Sequence, residues 1–206
     1  MRVFLDFEAS SLSRESYPIE VGWVREDGAT EDHLIRPAPG WTDWDPCAEA
    51  IHGLTREALL DRGEPHEEVA RRMMEALAPH ELFAGAPSWD GKWLSVLLRG
   101  AGFPRHALRL RDTDEADRLA AIEVLAAAGV GGDLAAEAAR IVSQVRGRPA
   151  GPAAHRALAD ARQEYEIWLE VRRLSLAATL RGAQIPLPSL PTQEGLAGDA
   201  TAQMPD

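Results

Sequence analysis

An apolar run opens the chain, Val3-Phe4-Leu5-Asp6-Phe7-Glu8-Ala9, rich in β-formers and closed by the turn signal Ser10-Ser11. It reads as a buried strand. Successive side chains of a strand point to opposite faces, so Asp6 and Glu8 share one face and Phe7 takes the other. Ile19-Glu20-Val21-Gly22-Trp23-Val24 alternates as a half-buried strand, and Asp27-Gly28 is a hairpin-type turn signal. Thr30 to Arg36 reads as the returning strand, ended by Pro37-Ala38-Pro39-Gly40. The pattern predicts a meander of three antiparallel strands with the carboxylate strand first.

Helical spacing takes over after an irregular aromatic-acidic loop, Trp41 to Asp45, and the segment Ile51-His52-Gly53-Leu54-Thr55. Thr55 is an N-cap for a short helix through Leu60. Pro65 suits the first position of a helix with the apolar face Val69, Ala70, Met73 and Leu77, stopped by Pro79. Leu82 to Gly85 is a short buried strand. A helix follows from about Asp90, because Trp93, Leu94, Leu97 and Leu98 stand three, four, seven and eight residues later. Asp90 heads that stripe and should face inward. Leu108 to Arg111 suits another strand. Asp112 or Thr113 caps a helix to about Ala128, and Gly129 to Gly132 ends it. Asp133 caps a helix carrying Leu134, Ala138, Ile141, Val142 and Val145. A basic stretch from Arg146 to Pro152 leads to a long helix, His155 to Leu180, with Ile167, Trp168, Val171 and Leu174 on one face. Asp160 lies on that line, whereas His155 would point off it in a regular helix; a loop or first-turn position brings it back. Residues 1–182 read as one domain and 183–206, rich in Pro, Ala, Gly, Gln and Thr, as a flexible tail.

The totals narrow the choices. A chain of 206 residues holds one substantial domain. A net charge of -11 argues against coating nucleic acid by bulk electrostatics, yet leaves room for a metal-dependent enzyme that grips a chain end. Cys47 is alone, so there is neither a disulfide framework nor a thiolate metal cluster. No basic-then-apolar leader and no bilayer-length apolar run is present, so a soluble, cytoplasmic setting without a membrane is the expectation.

Four carboxylates stand at the edges of apolar elements: Asp6 and Glu8 on the first strand, Asp90 and Asp160 near helix starts. Ionised carboxylates among apolar neighbours cost roughly several kcal/mol unless compensated. A hard divalent cation such as magnesium compensates them through oxygen ligands. A mixed sheet with flanking helices brings strand ends and helix starts to one rim. Two ions about 3.5–4 Å apart would there activate a water and stabilise the leaving oxygen of a phosphodiester. An imidazole titrates near neutral pH, which makes His155 the natural proton acceptor beside the cluster. Taken singly each residue has a plainer reading. Asp90 is an N-cap, Asp160 a helix-start acid, His155 a surface histidine and His52 a turn residue. Their joint order is what favours the chemical reading.

Asp6-Phe7-Glu8, Trp89-Asp90 and His155-Arg156-Ala157-Leu158-Ala159-Asp160 resemble the three motifs of the DEDDh 3′–5′ exonucleases. These are ribonuclease H-like enzymes that include polymerase proofreading subunits, oligoribonuclease and RNase T. The resemblance spans residues 2 to about 175, and its most specific piece is His-x-Ala-x-x-Asp. It implies an α/β fold with a mixed five-stranded sheet flanked by helices. Asp6, Glu8, Asp90 and Asp160 would bind two Mg2+ or Mn2+ ions, with His155 as general base. The substrate would be a single-stranded RNA or DNA 3′ end, with a slight lean to RNA from the small chain, and the product nucleoside 5′-monophosphates. Ile51 to Thr55 resembles the Val/Ile-His-Gly-Ile-Thr segment beside the terminal nucleotide in many members, which assigns His52 to substrate. Ala9, Ser10, Ser11 and Leu12 follow the first motif and would touch the same nucleotide, and Trp89 adjoins the site. Arg146, Arg148 and Lys92 are candidates for phosphate contacts, against the commoner case of solvated side chains. Three departures bear on how the 3′ end is held. Ala86 stands where many members have Asn, Trp89 where Phe is commoner, and no Gly follows the first-motif serines. The rival readings are a catalytically silent nucleic-acid-binding module, a proofreading subunit docked on a polymerase through the tail, and a metal-dependent phosphatase on mononucleotides. Several relatives are dimers, which makes a homodimer a further expectation.

Overall fold

The structure, a computed structural model, describes residues 1–149 and 154–182; the expected tail, 183–206, lies outside the described residues. The N-terminal meander is present: β1 (Arg2–Ala9), β2 (Pro18–Arg25) and β3 (Thr30–Arg36) pair antiparallel in that order. α1 (Pro46–His52) and α2 (Arg56–Arg62) follow, the latter capped by the Thr55 hydroxyl as its sequence predicts. Next come β4 (Glu64–Pro65), α3 (His66–Leu77), β5 (Glu81–Ala84) and α4 (Pro87–Gly100). β6 (Leu110–Asp112), α5 (Thr113–Ala127), α6 (Leu134–Arg146) and α7 (Ala157–Gly182) complete the chain. The sheet order is β4-β3-β2-β1-β5-β6, with β1, β5 and β6 mutually parallel. Among the described residues no helix is long and apolar enough to cross a membrane.

Six strands replace the expected five. The extra one is the two-residue β4, parallel to Ile35 and Arg36 at the sheet edge. Two residues carry no periodicity, and Pro65 becomes the residue before α3 instead of its first helical position. α1 also escapes the pattern, because only His52 of its residues is buried and it has no apolar face. Its punctuation was nevertheless present in Asp45, whose carboxylate accepts from Cys47 N–H, in Pro46, and in Gly53 at φ 70°. α4 starts three residues earlier than expected, at Pro87, and α7 two later, at Ala157.

The sheet is covered on both faces. Val3, Leu5 and Phe7 pack with α3 and α4, through Met73, Leu77, Leu94 and Leu97. Phe4 packs on the other face with Phe83, Ala116, Ala120 and Trp168. Alternation along β1 therefore turns Asp6 and Glu8 toward the α5–α7 side, next in line to Phe4. The Trp168 ring, fully buried, lies 5.6 Å from Phe4 and 5.8 Å from Tyr165. Truncating such a tryptophan costs about 3–5 kcal/mol, so this ring pins α7 to the sheet.

The start of α7 rests on β2 at a glycine. A Cβ on Gly22 would lie 2.3 Å from Leu158 N and 2.8 Å from Ala157 C, both backbone atoms. Gly22 is the cross-strand partner of Asp6, and Glu20 that of Glu8. The helix thus touches the sheet beside the two carboxylates. Gly22→Ala should cost about 3 kcal/mol in urea unfolding, since rigid backbone must move to admit one methyl. Gly91→Ala, on α4 where nothing lies within 4 Å of the added carbon, should instead stabilise by about 0.5–1 kcal/mol. Equal costs at the two positions would refute the close-approach argument.

Candidate active site

Asp6 and Glu8 sit near the end of β1, Asp90 in the first turn of α4 and Asp160 in the first turn of α7. The structure brings them to one rim. Ligand atoms of Glu8, Asp160 and His155 lie within 4.8 Å of one another. Asp90 is 1% exposed, and its Oδ2 accepts from Ala86 N–H at 3.2 Å, folding the carboxylate back over the start of α4. It does not cap the helix from the preceding position, since that residue is Ala86.

His155 precedes α7 in a left-handed backbone conformation, φ 50°. A non-glycine residue there carries local strain, and the surroundings must hold it. They do so from both sides. The Asp160 carboxylate accepts from Ala154 N–H at 3.2 Å. The buried Glu20 carboxylate accepts from Arg156 Nε at 3.1 Å and from Ala157 N–H at 3.0 Å. The irregular turn is what lets His155 reach Glu8 while Asp160 keeps its helical position.

The cluster is electrostatically uneasy. Burial, followed by the charges of Asp90, Glu8, Asp160 and Glu164, pushes the Asp6 carboxyl up to about 9. Burial first, then Asp160 and Glu20 against an opposing Arg156, raises Glu8 to about 7. Asp90 is raised to about 7 by burial, which outweighs hydrogen bonds from the backbone of Ala86 and Phe7. Carboxylates forced to keep protons near neutral pH, gathered with one imidazole, are the donor set a hard divalent cation fits.

A cleft of about 240 Å³ opens beside Glu8 and His155, with Ala9, Ser11, Leu12 and His52 in its lining. Ala48 and Ile51 of α1 and Trp93 of α4 complete it. His52 is buried; its Nδ1 accepts from Leu54 N–H at 3.1 Å, so the proton sits on Nε2. That Nε2 has no hydrogen-bond partner among the described residues. Burial, the largest influence, lowers the His52 pKa, which keeps the ring a neutral donor. Ser10 does not line the cleft: it is fully buried and donates to Asp43 at 3.0 Å. Trp89 does not either; it stacks on Trp93 at 5.6 Å, with Lys92 Nζ 5.2 Å from its ring centre.

Several residues of the site gave no signal in sequence. Asp43, in the supposedly irregular loop, accepts hydroxyl hydrogens from Ser10, Ser11 and Ser13 and so shapes the cleft lip. Glu20 and Gly22 read as ordinary strand positions. Glu164, one turn past Asp160, contributes a fifth acid; its position four residues on along the same face was the available clue. Arg146 lies 3.0 Å from Glu164, 2.8 Å from Asp117 and 2.7 Å from Asp114, and Arg148 is 2.7 Å from Glu170. Both candidates for phosphate contact are thus committed to carboxylates of the chain. Lys92 is committed too, donating to the Ser13 carbonyl and to Ser16 Oγ.

No protein-family model matches the chain, and no curated protein matches it in sequence. Solved structures do match its fold. One is exonuclease I of E. coli in complex with a dT13 oligonucleotide, at TM-score 0.56 and 16% identity, covering 87% of this chain and 43% of that one. Another is a moderately thermophilic exonuclease I from Methylocaldum szegediense, at TM-score 0.57 and 18% identity, covering 88% and 42%. The E. coli protein with a dA16 oligonucleotide gives TM-score 0.57 and 17% identity over 87% and 42%. The expected ribonuclease H-like α/β fold is thereby shown. The chain spans less than half the length of these structures.

The raised carboxyl pKa values set a pH dependence. Asp6 binds its proton more tightly folded, at about 9, than at its ordinary 3.8. Its contribution to stability is therefore full below about pH 4 and is lost as pH rises through 9. In chelator, thermal melts should show stability falling over that range, more steeply for the wild type than for Asp6→Asn. Added magnesium should restore the wild type at high pH and leave the variant nearly unmoved. Parallel slopes for the two proteins would show that the cluster is not under this strain.

Proposed function

We propose that the chain is a divalent-metal-dependent 3′–5′ exonuclease acting on single-stranded nucleic acid and releasing nucleoside 5′-monophosphates. The observation that carries this reading is the meeting of Glu8, Asp160 and His155 within 4.8 Å, beside the half-buried Asp6 and the buried Asp90. The comparisons support it through fold: the similar structures are exonuclease I, two of them holding DNA oligonucleotides. Those complexes weigh toward DNA, against the slight lean to RNA taken from chain size.

Asp6, Glu8, Asp90 and Asp160 would hold two Mg2+ or Mn2+ ions. When bound, such ions acidify water and offset charge on a leaving phosphodiester oxygen. The remaining work falls to the chain. His155 takes the proton of the attacking water, held at the cleft by its two-sided anchoring rather than by a helix. Ala9, Leu12 and Ile51 offer apolar surface to the terminal nucleoside. His52 Nε2–H is a buried donor with no partner among the described residues, a state that costs about 1–3 kcal/mol and that a sugar hydroxyl or phosphate oxygen would relieve. Glu20, through Arg156 and Ala157, fixes the turn that aims His155.

The test uses 5′-labelled single-stranded DNA and RNA of equal sequence with magnesium or manganese. A ladder shortening from the 3′ end is expected, absent for Asp160→Ala and reduced about 10²–10⁴-fold in kcat for His155→Ala. The faster substrate identifies the sugar. Tight oligonucleotide binding without a ladder, under either ion, would replace the exonuclease by a silent binding module.

A further inference from the structure

α4 has a cleft on each flank. One is the site just described, walled by Trp93. On the other side Pro87 and Gly91 face Leu108, Leu110, Arg105 and Arg109 across a cleft of about 300 Å³. Its lining contains no acidic residue, in a chain of net charge -11.

That is unusual here because this protein neutralises most of its cations internally. Arg2, Arg72, Arg111, Arg140, Arg146, Arg148, Arg156 and Arg173 all pair with carboxylates. Arg105 and Arg109 form no ion pair among the described residues. Among the described residues the one side-chain hydrogen bond of Arg105 is donation from Nε to His106 Nε2 at 2.7 Å, which leaves its other N–H groups without a partner there. The wall of the cleft begins at Gly91, next in sequence to Asp90 and so about 3.8 Å from it, Cα to Cα. A Cβ built on Gly91 would meet nothing within 4 Å, so the helix surface is open at that position.

We propose that this second cleft seats the nucleic-acid strand upstream of the reacting 3′ end. Arg105 and Arg109 contact its phosphates, and Pro87, Leu108 and Leu110 give apolar surface to a base. The proposal rests on the exonuclease reading, since it needs a strand whose end lies at Asp90. Guanidinium groups match phosphate oxygens in pairs, and such contacts position a strand without reading its sequence. The role considered for Arg146 and Arg148 thus falls to two arginines without an ion pair among the described residues.

The test compares wild type with Arg105→Gln/Arg109→Gln on a thymidine dinucleotide and on dodecathymidylate. Arg36→Gln/Arg62→Gln, on β3 and α2 toward the opposite edge of the sheet, removes the same two charges and controls for net charge. The double variant should raise KM for dodecathymidylate about ten-fold, the order of one or two lost charge-assisted contacts, with kcat unchanged. The dinucleotide, which has no internucleotide phosphate upstream of the scissile one, should be cut with wild-type kcat and KM. The salt dependence of log KM for the longer substrate should weaken by about 0.7 for each phosphate contact removed. An unchanged KM for dodecathymidylate, or an equal rise for both lengths, overturns the proposal. Should wild type cleave neither substrate, the exonuclease reading fails on its own. Fluorescence anisotropy with labelled dodecathymidylate then decides the cleft: weaker binding by the double variant supports it, and equal binding overturns it.

Discussion

Everything in the site depends on how closely a helix can approach a strand. Side chains normally hold a helix well off the sheet it covers, but at Gly22 the first turn of α7 lies against the β2 backbone itself. Only there can Asp160, fixed to a helix, share a small volume with Glu8, fixed to a strand two positions from Asp6. Glu20 completes the joint by receiving the first helical N–H of α7 and the Arg156 guanidinium. A packing detail on β2 thus determines where acids from three other elements meet.

The energetic character of the site follows from that joint. The acids repel one another in a partly desolvated space, and His155 occupies a conformation its side chain disfavours. The fold supplies the opposing stability elsewhere, in the two-sided core and the aromatic group of Phe4, Tyr165 and Trp168. Strain at the working end and rigidity behind it is a common division in enzymes.

How much of this was legible in the sequence depended on whether a feature had a period. β1 is a run of β-formers, β2 alternates, β3 lies between turn signals, and α3, α4 and α6 each show an apolar stripe, so all were readable. α1 exposes most of its residues, and β4 has two, so neither left a stripe. The four acids and His155 were legible as a spaced set because elements that carry them are. What stayed hidden was partnership. Nothing local distinguishes Arg146, held among three carboxylates, from Arg109, which has none among the described residues, nor Asp43, holding three serine hydroxyls, from any loop aspartate. Such roles are created when distant segments meet, and sequence spacing does not encode them.

Cys47 is the chain's one cysteine and is exposed. It belongs to α1, the short helix whose next residue, Ala48, lines the cleft together with Ile51 and His52. A thiol-reactive fluorophore would therefore attach at a single position, with no engineering, beside the pocket assigned to the terminal nucleoside. The protein carries its own labelling point for watching that pocket fill and empty in real time.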